Sequence, residues 1–316
     1  MDMREVRIGT RGSPLALWQA KWVEQSLSHA YPQLSISLVR IRTKGDKLVD
    51  VSLAKVGGKG LFVKEIEEGL LAGRIDLAIH SMKDVPVHLP KGLHIQCIPQ
   101  REDPGDVLIS RNHLTLEELP RGAKIGTSSL RRRAQLLSHR PDLTIVPLRG
   151  NVDTRLRKLK TMDLDAIVLA AAGVKRMKLE ERISQSISPE VCLPAIGQGA
   201  LGIETRVDNG EVNQHLSILD DEPSHVSVRA ERAFLGRLGG GCQVPIAALG
   251  TISAGGTLVL KGLVGTLDGR KLIKGAIEGE MGRAEELGTA LAENLLSRGA
   301  DEILREIYEE EIARAL

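Results

Sequence analysis

The stretch Lys124-Ile125-Gly126-Thr127-Ser128-Ser129-Leu130-Arg131-Arg132-Arg133 puts three arginines where a helix begins. It reads as a short strand, a hydroxyl-rich turn and a helix capped by Ser128 or Ser129. A helix N-terminus already carries unpaired N–H groups and partial positive charge. Arg131 and Arg132 in its first turn therefore cost stability unless an anion lies against them. Hydroxyls, free N–H groups and guanidinium groups in one place describe an anion seat.

Three other stretches can carry chemistry. Gly239-Gly240-Gly241-Cys242 is a loose turn able to hold a thiol out from its domain, as nucleophile or covalent attachment point. The preceding helix end is partially negative and does not activate a thiol; Arg237 is placed to compensate. An ordinary capping turn with a bystander cysteine is the plain alternative. His80-Ser81-Met82-Lys83-Asp84-Val85-Pro86 follows an apolar strand, at the strand end where ligands bind in open α/β sheets. There Lys83 is an anion contact, and Asp84, an acid among basic groups, can stabilise a cation. A surface Lys-Asp turn before proline is the bland reading. Lys55-Val56-Gly57-Gly58-Lys59-Gly60 lacks the spacing of a P-loop. With Phe62 behind it, it suits a lid over an anionic ligand, or simply a solvated loop.

The elements that must position these residues alternate. Val6–Thr10 reads as a strand, and Ser13 caps a helix with Pro14 at its first position and Leu15, Trp18 and Trp22 at helical spacing. Leu34–Ile41 alternates like a strand. Phe62, Ile66 and Leu70 mark a helix ended near Gly73, and Ile75–Ile79 a buried strand. This is an α/β chain with a largely parallel sheet. Val6-Arg7-Ile8-Gly9-Thr10-Arg11-Gly12-Ser13 echoes Ala123–Ser129. Ile145–Arg155 repeats the plan, with Asn151 or Asp153 as cap. Two lobes, each presenting helix N-termini, would explain the echo. Three capped junctions are also what any α/β protein contains, but that account leaves the arginines unexplained. After about Asp220 the pattern changes to a helix over Ser224–Leu238, strands over Ala247–Ile252, Thr257–Val264 and Leu272–Ile277, and helices marked by Leu287, Leu291, Leu295 and by Ile303, Ile307, Ile312. This predicts a separate α+β domain, with Asp220-Asp221-Glu222-Pro223 as a linker.

Composition narrows the classes. The 316 residues predict two or three domains. Net charge is only +2, yet Arg121–Arg182 holds fifteen Lys/Arg against six Asp/Glu, so the positive charge is local. Aromatic content of 2% argues against base stacking on single-stranded nucleic acid. Cys97, Cys192 and Cys242 are too scattered for a disulfide framework or a zinc site, and an odd count suits a reducing compartment. No signal peptide opens the sequence and no apolar run reaches membrane-spanning length. A cytoplasmic protein is expected, without metal, nucleic acid or membrane partner.

Taken together, Ile8–Ala16, His80–Pro86, Gly126–Arg132, Arg149–Arg155 and Gly239–Pro245 resemble the porphobilinogen deaminases (hydroxymethylbilane synthases) in kind and order. The resemblance implies a transferase that condenses four porphobilinogen molecules head to tail, releasing ammonia, on a dipyrromethane cofactor attached through a thioether to Cys242. It implies two periplasmic-binding-protein-like α/β lobes, residues 1–99 plus 200–217 and 100–199, with a smaller α+β domain, 218–316, carrying the cysteine. It implies that Lys83, Ser81, Thr127, Ser128, Ser129, Arg131, Arg132 and Arg155 hold the cofactor. Arg11, Ser13, Arg149, Arg155 and Arg176 would hold substrate, and Asp84 would stabilise the cation left when ammonia departs. Apart from the resemblance, Lys55, Gly57, Gly58, Lys59 and Phe62 are the residues of the lid-or-solvated-loop reading above. A monomer is expected. On this reading the Arg131–Arg132 region repels itself without its cofactor, and the cofactor-free protein is markedly less stable. A two-lobed anion sensor explains the arginines but not the glycine-loop thiol. A nucleic-acid binder explains the basic region but not its dispersal over separate helix starts.

Overall fold

The computed structural model describes residues 5–47, 63–240 and 244–315. Lys55, Gly57, Gly58, Lys59, Phe62 and Cys242 lie outside them.

The chain begins with β1 (Glu5–Thr10), α1 (Pro14–Ala30), β2 (Ser35–Arg40), α2 (Lys44–Lys47), α3 (Lys64–Leu71), β3 (Leu77–Ser81) and β4 (Leu93–Cys97). It continues through β5 (Asp106–Ser110), β6 (Lys124–Gly126), α4 (Leu130–His139), β7 (Thr144–Val146), α5 (Val152–Thr161), β8 (Ala166–Ala170), α6 (Ala171–Arg176) and β9 (Gln185–Ile187). It ends with β10 (Leu201–Arg206), α7 (Gly210–Leu216), α8 (Glu222–Arg237), β11 (Ile246–Ile252), β12 (Thr257–Gly265), β13 (Leu272–Glu280), α9 (Ala284–Leu295) and α10 (Asp301–Ala315).

These elements form two compact units. The first takes described residues up to 47, 63–102 and 200–225, and the second takes 103–199 and the described residues from 226 on. The first unit is built on a sheet of order β2-β1-β3-β10-β4. Four strands run parallel and β10 runs antiparallel between β3 and β4. The second unit's larger sheet has order β7-β6-β8-β5-β9, with β5 antiparallel between β8 and β9. The two sheets share one topology, and β1 corresponds to β6. The sequence echo between Val6–Ser13 and Ala123–Ser129 therefore falls on equivalent strands.

Periodicity explains the layers. In α1, Ala20, Val23 and Leu27 face the sheet and join Val6, Ile8, Leu77 and Ile79 in one core. β3 is buried on both faces: Ala78 turns the other way, to Ile66 and Leu70 of α3. Fully buried aliphatic side chains of this kind, such as Ile8, Ile66, Leu70 and Leu77, supply about 1.5–3 kcal/mol each. In the second unit, Ile125, Val168 and Leu136 pack on one sheet face, with Ile167, Leu148 and Leu159 on the other.

β11–β13 form an antiparallel meander whose inner face packs with α8, α9 and α10 around Phe234. Gly262 admits that ring, since a Cβ there would lie 2.7 Å from Phe234 Cζ. The sheet's other face joins Ala247, Leu249 and Leu263 to Leu193. The β12–β13 turn also meets α4: a Cβ on Gly269, whose φ is +74°, would lie 2.4 Å from the Ala134 carbonyl oxygen. The meander thus packs against the second lobe.

The Asp220–Pro223 stretch, just before the boundary between the two units, is pinned by hydrogen bonds. Asp220 Oδ1 accepts from Ile98 N at 2.8 Å and meets His225 Nδ1 at 2.8 Å, while Asp221 Oδ2 accepts from Ser224 N at 3.0 Å. Asp221 thus satisfies an N–H in the first turn of α8, while Asp220 holds the end of β4.

Candidate active site

In the first unit, β1 and β3 are parallel neighbours, so their carboxyl ends lie side by side. β1 leads into Arg11 and Ser13, both half-buried. Thr10, fully buried, donates its hydroxyl to Ala16 O at 3.2 Å and tightens this turn. Ser13 Oγ accepts from Ala16 N at 3.3 Å as the helix cap, with Pro14 at the first turn. β3 ends at Ser81, whose hydroxyl accepts from the buried Gln19 Nε2 of α1 at 3.1 Å. A single 3-10 turn, Met82–Asp84, follows. Met82 anchors it: the side chain is buried, its N–H donates to Ala200 O at 3.0 Å, and it lies over Gly202, where a Cβ would come within 2.1 Å of the sulfur. The anchored methionine presents the half-buried Lys83 and the exposed Asp84.

Behind this turn lies a buried acid–base cluster that sequence reading did not single out. His80 Nε2 and Glu204 Oε2 are 2.9 Å apart, and both residues are buried. Burial, then the charge of Glu204, pushes the Glu67 carboxyl of α3 up to about 6, with His80 opposing.

In the second unit the equivalent strand ends carry the basic residues. Thr127 is buried, and its Oγ1 accepts from Ser129 N at 3.2 Å. Ser129 is the cap, accepting from Arg132 N at 3.4 Å. Exposed Ser128 donates to Leu148 O at 3.1 Å, linking this turn to the next junction. There Asn151 caps α5, accepting from Thr154 N at 2.9 Å, and Arg155 Nε donates to Gly150 O at 2.8 Å. Gly150 has φ +120°, and a Cβ would lie 2.5 Å from Thr154 Cγ2, so glycine is required. Arg149 is half-buried beside it. Arg176, in the last turn of α6, is buried and donates to Gly199 O at 2.7 Å. Thr127, Ser128, Ser129, Arg149 and Arg155 thus share one end of this sheet.

The two arginines at the α4 start require a correction. They turn inward, 5% and 4% exposed, onto Asp106 of β5. Arg131 Nη1 donates to Asp106 Oδ2 at 2.7 Å, and Arg132 donates to Oδ1 from Nη2 at 2.7 Å and Nε at 3.1 Å. Burial alone would raise the Asp106 pKa, but Arg131 and Arg132 outweigh it and hold the carboxyl well below the usual carboxylate range. Asp106 therefore neutralises one of the two guanidinium charges from within. The missed signal was an acid at the head of the otherwise apolar strand Asp-Val-Leu-Ile, which can be buried only with a cation. Arg237 pairs with Glu293 at 3.2 Å.

The donors still fit a carboxylate-bearing group. Arg131 Nε is buried without a hydrogen-bond partner. Two guanidinium groups against one carboxylate leave a formal charge of +1, because the adjacent Cys192 thiol is pushed up to about 12, chiefly by burial.

Two sheets of one topology, each with basic residues and helix starts at its strand ends, define a two-lobed α/β protein. The description "Porphobilinogen deaminase, dipyromethane cofactor binding domain" matches residues 6–214, and "Porphobilinogen deaminase, C-terminal domain" matches residues 225–297. The porphobilinogen deaminase of Syntrophotalea carbinolica is 59% identical over 96% of this chain and 96% of that one. Those of Geotalea daltonii and Geobacter metallireducens are 53% and 54% identical over 99% of this chain and 98% of theirs. Among solved structures, the periplasmic aliphatic sulphonate binding protein SsuA from Escherichia coli covers 74% of this chain and 70% of its own, at 16% identity and a TM-score of 0.40; that likeness is too loose to add to the topology. The chain belongs to the porphobilinogen deaminase family.

It is therefore a transferase of tetrapyrrole biosynthesis that polymerises four porphobilinogen molecules head to tail into hydroxymethylbilane, with release of ammonia. Its cofactor is dipyrromethane, held through a thioether to Cys242. Among the described residues, no helix is long and apolar enough to cross a membrane.

Proposed function

We propose that the chemistry of each condensation is carried by Asp84, and that the basic groups of the two lobes divide the carboxylates among them. The observation that carries this reading is the presentation of Asp84: an exposed carboxylate on a short turn, anchored by buried Met82 at the end of a buried strand. Such a carboxylate accepts the pyrrole N–H and stabilises the cation left when porphobilinogen loses ammonia. In the same cycle it takes up the ring α-proton. The dipyrromethane, when bound, supplies the free ring position on which the chain is extended. Lys83, Ser81, Thr127, Ser128, Ser129, Arg131, Arg132 and Arg155 hold its carboxylates. Arg11, Ser13, Arg149, Arg155 and Arg176 orient the incoming porphobilinogen. Guanidinium groups suit this task because they pair bidentately with carboxylates.

Asp84→Asn is expected to fold, to retain the cofactor and to lose roughly 100-fold or more in kcat, the usual contribution of a positioned acid–base group. Near-normal turnover with intact cofactor would overturn the assignment. The intact mass tests the anchor: Cys242→Ala is expected to lack the covalent excess of the active enzyme.

We take residues 1–99 with 200–217, residues 100–199 and residues 218–316 as the three domains, and residues 55–60 with Phe62 as a lid. The enzyme acts as a cytoplasmic monomer, without nucleic acid. Two free, buried thiols, Cys97 and Cys192, suit a reducing compartment. Light scattering of the loaded enzyme tests the monomer, and hydrogen exchange across elongation states tests the lid.

A further inference from the structure

Asp106 belongs to no sequence motif named above, yet it is the most heavily coordinated side chain near the α4 start. Its Oδ1 accepts from Arg132 Nε, from Arg132 Nη2 and from Gln198 Nε2 at 2.9 Å. Its Oδ2 accepts from Arg131 Nη1 and, at 3.3 Å, from the Cys192 thiol. The guanidinium groups are fixed again on their far sides: Arg131 Nη1 donates to Leu193 O at 2.7 Å, and Arg132 Nη1 to Val168 O at 2.8 Å. Gln135 completes the cage, taking Leu193 N on its Oε1 at 2.7 Å and donating to Leu193 O at 3.1 Å. Asp106, Arg131 and Arg132 are each no more than 5% exposed. One strand, one helix start and the Cys192–Gln198 segment thus meet on a single carboxylate.

We infer that Asp106 is the positioning residue of the cofactor seat: it fixes Arg131 and Arg132 before any ligand arrives and sets the charge they offer. The inference rests on the reading that these arginines face the dipyrromethane carboxylates. Two buried guanidinium groups side by side repel one another and lose hydration, and a charge left unpaired in an apolar interior is prohibitively costly. Asp106 cancels one of the two charges. What remains is one positive charge and the partnerless Arg131 Nε, which suits a single carboxylate held in a fixed direction. A flexible, doubly charged pair would have to be ordered by the incoming group at the expense of its affinity.

The test follows covalent loading rather than turnover. Cofactor-free protein is mixed with porphobilinogen, and the folded fraction, judged by a cooperative melt, is followed by intact mass. Asp106→Asn removes the charge and faces an amide N–H₂ with guanidinium or glutamine donors. Asp106→Glu keeps the charge but displaces it by a methylene in a fully packed cage, and it decides the matter if the asparagine variant does not fold. Each folded variant is expected to gain mass at least ten-fold more slowly than wild type. A wild-type loading rate in a folded variant would overturn the positioning role. A parallel Arg131→Gln variant separates the two claims: wild-type loading there would instead overturn the reading that Arg131 faces the cofactor.

Discussion

Glu67→Gln offers a clean measurement of what burying charge costs this protein. Glu67 lies on α3, only 8% exposed, with Glu204 and His80 as its buried titratable neighbours and Glu68 beside it in sequence. Its carboxyl is pushed from 4.5 to about 6, first by burial and then by Glu204, against the opposing pull of His80. The folded state therefore binds this proton more tightly than the unfolded chain does. Stability from the group is fully present below pH 4.5, falls between 4.5 and about 6, and is gone above that. At about 1.4 kcal/mol per pH unit of displacement, the loss is about 2 kcal/mol. Glutamine does not titrate, so Glu67→Gln should match wild type near pH 4 and exceed it by about 2 kcal/mol at pH 8. The assay is urea unfolding at a series of pH values, read by tryptophan fluorescence. Both tryptophans, Trp18 and Trp22, lie on α1, in the same unit as Glu67, so the signal reports the right body. With an m-value of roughly 2 kcal/mol/M, the midpoint difference should open by about 1 M between the two ends of the series. A difference that stays flat with pH, or opens in the opposite direction, would refute the reasoning.

Two further outcomes follow from packing. Gly269→Ala should destabilise the protein by about 1–3 kcal/mol, because φ is +74° and the new Cβ meets the α4 backbone; a urea titration of wild type and variant checks this. Cys97 and Cys192 should resist alkylation in the native protein, since burial is the main cause raising both thiols, Cys192 to about 12. Mass spectrometry after brief labelling should find them modified only after urea is added.

Much of this was legible from residues alone. The Ser13 cap with Pro14, the apolar stripe of α1 and the buried run of β3 are local facts, because cap chemistry and periodicity act within a few residues. The echo of Gly9-Thr10 in Gly126-Thr127 was legible for the same reason: equivalent strand ends need the same turn. The family motifs contain most of the candidate residues, though not Arg176 or the glycine-lysine loop. Side-chain direction was not legible. Arg131 and Arg132 sit where an external anion should bind; the acid heading the apolar strand at Asp106 signals that it needs a cation, but not that its cations lie 25 residues later.

The sequence by itself determined the strand–helix alternation, the helix caps and the basic character of the second lobe. The tertiary structure decided where the charges go. Topology places β5 antiparallel beside β8, and so brings an acid from one strand beneath the first turn of a helix that follows a different one. A charge in a low-dielectric interior interacts with whatever lies within a few ångströms, whatever its distance along the chain. The arginines that read as a vacancy for a ligand are, in the folded protein, already half answered.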